Sequence, residues 1–315
     1  MKYDYLIKRP FEIVARRPYL WLLGFLAGTA TAFNFPSGGT NYGHTGTSGT
    51  YKGPSWAALQ NIWNHNGEWI VGILALFVLF CIVMFVLGCI ATGGIIHAAV
   101  EHDENREYKL GTAWRAGYAT GWRIAGLRLL TFLLAIVPGL LVGTLVVAAI
   151  AGAMSSAAAA VGFGLVAAAA FFLSIAFWFV LGLAFQLAQR LIVLEDGHVA
   201  ESLTTGFRMI RSHFKEVGLG WLILVAVSIG VGIVIAILTV VVVIPGVILG
   251  FGGWALGGVT GAIVAGSFAA VFIVGILLVA SAAYSAYSSV YWTLLFRSVR
   301  ALPAPAVRGA IIPAA

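Results

Sequence analysis

The sequence predicts an all-α integral membrane protein. Six transmembrane helices form three hairpins, and each hairpin is preceded by an amphipathic interfacial helix on the cytoplasmic side. Three observations lead there. Of 315 residues, 61% are apolar and 9% charged, with a mean hydropathy of +1.01. Soluble domains carry about 25% charged residues, so this chain has too few charges to solvate a globular surface. Three stretches lack Asp, Glu, Lys and Arg altogether: Trp69–Val100, Leu129–Gln189 and Val217–Phe296, of 32, 61 and 80 residues. Finally, seventeen of the eighteen Lys and Arg fall in segments that alternate with these stretches. A soluble enzyme, a disordered tail and a secreted disulfide scaffold are excluded.

One crossing takes about 20 residues. The first uncharged stretch therefore holds one span, and the second and third each cross and return. Tyr19–Phe33 adds a short one. The spans fall at about 19–34, 69–96, 125–151, 161–188, 217–244 and 263–292, with turns at 152–156 and within the glycine-rich run 246–261. The chain 1–315 reads as a single membrane domain with four parts. These are 1–97 (spans 1 and 2 with an outer loop at 34–68), 98–188, 189–296 and a tail at 297–315. Tyr19–Ala27 and the small residues Thr29-Ala-Thr-Ala32 imitate a signal-peptide cleavage region, but a retained first span is expected. Cys81 and Cys89 lie inside span 2, so no disulfide framework is expected.

Basic residues mark the cytoplasmic side. Only Lys52 lies opposite the rest, which places both termini in the cytoplasm of a multi-pass plasma membrane protein. The net charge of +7 thus expresses topology and attraction to anionic headgroups. It implies no nucleic-acid partner, because no folded soluble basic surface exists to bind one.

The basic segments resemble one another. Leu110-Gly-Thr-Ala-Trp-Arg115 aligns with Leu203-Thr-Thr-Gly-Phe-Arg208 at an offset of 93, and Pro10-Phe-Glu-Ile-Val14 is a fainter third copy. In the last unit Leu203, Phe207, Ile210, Phe214 and Val217 share one helical face, with Arg208, Arg211 and Lys215 opposite. Ile7, Phe11 and Val14 oppose Lys8, Glu12 and Arg16 in the first, and Trp114, Tyr118 and Trp122 supply interfacial rings in the second. Arg115, Arg123, Arg208, Arg211 and Lys215 are the candidate lipid-headgroup contacts. In the outer loop, Trp56, Leu59 and Trp63 predict a short helix over residues 55–66 resting on the outer leaflet.

Membrane chemistry would need a nucleophile, an acid–base pair or a metal cluster. The nearest histidines, His97 and His102, are five apart beside Glu101, Asp103 and Glu104. That spacing does not put ligands on one helical face, and it reads as a solvated acidic turn. No Gly-x-Ser-x-Gly elbow occurs, and the run 246–261 lacks the lysine of a phosphate loop. No catalytic, cofactor or metal-binding residue is expected. Ion-coupled transport would place ionisable groups in mid-span, whereas Arg128 sits near a cytoplasmic end and the mid-span residues are Thr131, Ser174, Ser228, Thr239, Ser267 and Ser281. Pro138-Gly139, Pro245-Gly246 and a re-entrant 246–261 keep a passive conduit open as the alternative. Close helix packing is signalled by Gly24-x-x-x-Gly28 and by a span-6 face of Ser281, Ser285 and Ser289 beside Tyr284. These six residues are the candidate packing or partner face.

Arg190-Leu-Ile-Val-Leu-Glu195, Glu201-Ser-Leu203, Phe207-Arg208, Arg211-Ser-His-Phe214 and Gly218 carry a resemblance. They resemble a group of poorly characterised bacterial six-span membrane proteins, similar to the membrane domain that precedes the catalytic domain of some glycerophosphodiester phosphodiesterases. The resemblance covers most of the chain in topology and about 35 residues in motif. It implies a bacterial plasma-membrane module without chemistry of its own, since neither the catalytic domain nor its clustered His and carboxylates are present. The expected function is a non-enzymatic scaffold or accessory subunit. Its partners would be membrane lipids and other membrane subunits or further copies of itself; the alternative is a passive channel or transporter for a small or lipidic solute.

Overall fold

The computed structural model describes residues 3–31, 56–155 and 157–302. Every regular element among them is an α-helix: α1 (Tyr3–Arg16), α2 (Tyr19–Thr31), α3 (Trp56–Asp103), α4 (Leu110–Ser155), α5 (Ala157–Leu194), α6 (Val199–Ser212) and α7 (Phe214–Arg300). Long apolar runs rich in Leu, Ala, Ile and Val satisfy every backbone group within the helix, the arrangement hydrocarbon demands. At 46 residues α4 is about 69 Å long, more than twice the roughly 30 Å of a bilayer core.

Breaks fall where local chemistry forces them. Pro18 has no N–H and crowds the residue before it out of helical geometry, so α1 ends at Arg16. The Trp21 indole then donates to the Val14 carbonyl at 2.9 Å and fixes the angle into α2. Inside α7 the helix breaks at Gly257-Gly258. Gly258 has φ +58° and ψ −144°, a conformation that side chains with a Cβ rarely adopt. The two arms of α7 then close on each other so tightly that a methyl on Gly253 would lie 2.9 Å from the Ala265 Cβ.

Two expectations differ from the structure. The short helix expected at 55–66, within the outer loop 34–68, is instead the start of α3, which runs unbroken from Trp56 to Asp103; the loop's residues 34–55 lie outside the described residues. The interfacial helix before span 3 is not separate either, because α4 carries Trp114, Tyr118 and Trp122 straight into the apolar run with no Pro or cap to stop it. Separate helices do precede α2 and α7. Five segments are long and apolar enough to cross a membrane, α7 supplying two, whereas α2 has only 13 residues.

The packed core lies at the basic end of the bundle. α2 is wedged between α3 and α7; α4 packs on α3 and α5; α6 crosses α5. Leu20, Leu23, Ile95, Ile96, Ile124, Leu127, Leu187, Ile192 and Leu295 are all sealed there. Beyond this layer most large apolar side chains face outward. Leu74, Phe77, Val147, Phe172, Ile248 and Phe268 are each more than half exposed. Apolar faces have no drive to associate inside lipid, which is as apolar as they are, and the packing is concentrated where charged turns and interfacial helices meet.

The amphipathic helices carry apolar residues on more than one side. α1 buries Leu6, Pro10, Ile13 and Val14 and leaves Ile7 and Phe11 exposed. α6 buries Leu203, Met209 and Ile210, but the break at His213 rotates Phe214 outward while Val217 stays inside.

Candidate functional site at the basic end of the bundle

Side chains from α1 and α7 converge on the turn after α3. Its chain reversal is a Schellman cap: Arg106 N–H donates to the Glu101 carbonyl at 2.9 Å, Asn105 N–H donates to the His102 carbonyl at 3.1 Å, and Asn105 takes φ +56°. This turn presents Asp103 and Glu104 to two other helices. Arg297 on α7 donates from Nη1 to Asp103 Oδ2 and from Nη2 to Glu104 Oε1, both at 2.9 Å. On α1, Arg9 donates from Nη2 to the Asp103 carbonyl at 3.2 Å and to Asn105 Oδ1 at 2.8 Å, and the Tyr5 hydroxyl donates to Asp103 Oδ1. Tyr3, Tyr5, Arg9, Asp103 and Asn105 line a shallow groove there.

Behind the turn, beyond the last residue expected in span 2, His102 is buried with its Nε2 2.5 Å from the Tyr19 hydroxyl of α2. Burial first, and then the nearby Arg17, lower the His102 pKa below its ordinary value. The ring is therefore neutral at pH 7, and its Nε2 shares one hydrogen bond with the Tyr19 hydroxyl. Burial and the hydrogen bond to Asp103 raise the Tyr5 pKa.

A second acidic turn repeats the arrangement after α5. Asp196 also takes a left-handed conformation, at φ +54°. Arg123 of α4 reaches Asp196 Oδ1 at 3.1 Å, and Arg300 of α7 reaches Glu195 Oε2 at 2.8 Å. Arg297 and Arg300 stand one turn apart, so the end of α7 ties down both acidic turns. With their carboxylates already engaged, these turns are suited to holding helices together. Among the described residues no three His, Cys, Asp or Glu side chains group as a metal would require.

The candidate headgroup residues Arg115, Arg123, Arg208, Arg211 and Lys215 are all exposed. Arg123 spends its charge on Asp196, and the other four form no ion pair among the described residues. The candidate packing face is split. A Cβ on Gly24 would run into the Ala282 carbonyl and lie 2.9 Å from the Ala286 Cβ, so α2 and α7 touch backbone to backbone there. Gly28 faces Ser285 more loosely, at 3.5 Å from such a Cβ to its Oγ. Ser281 is exposed, Tyr284 is half-buried, and the Ser289 hydroxyl is buried without a partner.

Two arginines have surroundings the sequence reading missed. Arg190, expected in the segment between spans 4 and 5, lies inside α5 and is 1% exposed. It donates to the Gln186 carbonyl and Oε1 at 2.7 Å each, to Gln189 Oε1 at 3.0 Å and to the Ser289 carbonyl at 3.2 Å. Arg128 is 2% exposed and donates only to Thr92 Oγ1, at 3.1 Å. A signal existed, since Arg190 is followed by Leu-Ile-Val-Leu and belongs to that apolar run.

An all-helical chain with a packed basic end and long apolar arms defines the class of multi-pass helical membrane proteins. Within that class the chain belongs to a family of unknown function, DUF7544, whose model matches residues 15–300. No curated protein and no solved structure matches it.

Proposed function

We propose that this protein is a non-enzymatic scaffold or accessory subunit of the bacterial plasma membrane, crossing it six times with both termini cytoplasmic and packing with lipid or a larger membrane assembly. α2 starts the first crossing, and the basic end of the bundle faces the cytoplasm. One observation carries the reading. The most apolar windows of the five long segments are no more than 17% buried within the chain. Most of the surface of these windows is therefore offered to lipid or to other helices, while packing and ion pairing hold the bases of the segments together.

The alternative of a passive conduit finds less support. Hydroxyls that could line a polar path are consumed within their own helices: Thr131 donates to Leu127, Ser174 to Ala170, Ser228 to Val225 and Thr239 to Ile235, at 2.7–2.8 Å. Extraction in mild detergent followed by native mass spectrometry tests the scaffold. The expected result is a stoichiometric partner or a homo-oligomer, and a bare monomer would count against it.

A further inference from the structure

The apolar side of α6 is taken up by the bundle. Leu203, Gly206, Met209 and Ile210 are buried, and a Cβ on Gly206 would lie 2.8 Å from the Ala184 carbonyl oxygen of α5. What α6 turns outward is basic. Arg208 and Arg211 are exposed, and Lys215 follows them, also exposed, in the first turn of α7. Helical hydrogen-bond spacing survives the break at His213. His213 N–H donates to the Met209 carbonyl and Val217 N–H to the His213 carbonyl, both at 3.0 Å. Arg211 and Lys215 therefore stay about one turn apart. Among the described residues none of the three cations forms an ion pair. Glu216, the nearest carboxylate along the chain, is half-buried and pairs with none of them.

Packing fixes which side of α7 continues this charge. Val217 and Leu224 are buried, and a Cβ on Gly220 would lie 2.7 Å from the Leu295 side chain of the returning arm. The opposite side is open. Leu219, Leu222, Ile229 and Ile233 follow Lys215 at 4, 7, 14 and 18 residues, on its own helical face, and are 49–59% exposed. Leu219 and Ile229 are ten residues apart, about 15 Å along the helix. That is half of the roughly 30 Å hydrocarbon core, the depth of one leaflet. Phe214, beside Lys215, is also exposed, at the level where aromatic rings meet headgroups.

We propose that Arg211 and Lys215, reinforced by Arg208, bind the phosphate of an anionic phospholipid whose acyl chain lies along Leu219, Leu222 and Ile229. A chain on that line carries its headgroup to the level of Lys215. Cations just outside a transmembrane segment attract anionic lipid, and the apolar line beneath them selects a lipid over a dissolved anion. The site rests on α7 entering the membrane near Phe214 and needs no protein partner. A monomeric chain would thus defeat the scaffold reading and leave this one standing.

The double variant Arg211→Gln/Lys215→Gln provides the test. Both side chains are exposed, so its melting temperature in lipid-free detergent should match that of the native protein. Native mass spectrometry with added phosphatidylglycerol, and phosphatidylcholine as control, reads the binding. The native protein should retain phosphatidylglycerol in preference to phosphatidylcholine, a comparison that needs no variant. Binding of phosphatidylglycerol should weaken about tenfold in the double variant, equivalent to about 1.4 kcal/mol. Arg16→Gln/Lys109→Gln removes the same charge from exposed positions at the end of α1 and before α4, and should bind as the native protein does. Equal weakening in the two double variants would mean diffuse attraction and overturn the site, as would equal retention of the two lipids by the native protein. Inorganic phosphate should not displace phosphatidylglycerol at matched concentration; displacement would assign a dissolved anion and overturn the lipid.

Discussion

Arg297 Nη1 donates to Asp103 Oδ2 at 2.9 Å across 194 residues of sequence. The last turn of α7 is thereby tied to the turn that ends α3, and Arg9 of α1 closes on the same carboxylate from the other side, with Nε 3.7 Å from Oδ1.

Removing that carboxylate leaves three donors facing a gap. Asp103→Ala should destabilise the protein by about 1–3 kcal/mol, the cost of stranding partly buried polar groups. Arg297→Ala should cost less, because its side chain is more exposed and surface pairs contribute about 0–1 kcal/mol. Denaturation of the two single variants and the double variant in detergent checks this. A double variant whose loss equals the sum of the single losses would mean that the two residues do not interact.

The contact between α2 and α7 makes a sharper contrast. Gly24→Val should lose about 1–3 kcal/mol and loosen α2, because the added Cβ meets the Ala282 backbone, which cannot give way. Gly28→Ala should change stability little, since its Cβ would make ordinary contact with Ser285. Comparable melting temperatures for the two variants would contradict the backbone-to-backbone packing.

Stability should fall in mild acid because of His102. Its folded pKa lies below the ordinary value of about 6.5, so the unfolded chain takes up a proton first. The neutral ring thus contributes stability that is present above that pH and declines as pH drops below it. Melting temperatures measured between pH 7.5 and 5.5 should decline for the native protein and decline less for His102→Asn. Parallel curves would remove the buried neutral ring from the account.

Topology can be read directly with reporters. A reporter inserted after Gly46 or after Ser156 should face away from the cytosol, and one fused after Arg300 should face it. A cytosolic signal after Gly46 alone would show that neither α2 nor α3 crosses and would reduce the spans to four.

The helices, their apolar runs and the break within 246–261 were legible in the sequence because each depends on residues close together along the chain. Uncharged stretches, Pro18 and Gly257-Gly258 act locally, through backbone satisfaction and steric limits. The sequence also separated the basic segments from the apolar ones. Tertiary structure decided which helical face is used. On α1, Leu6 and Ile13 pack inward while Ile7 and Phe11 face outward, because both sides of the helix carry apolar residues and only the neighbouring α3 and α7 choose between them. It also decided that Arg190 is solvated by glutamines, that Arg128 is not, and that two arginines one turn apart on α7 bind two distant acidic turns. A charge is visible in a sequence, but its partner is a property of distance in space, and these partners come from helices up to 194 residues away.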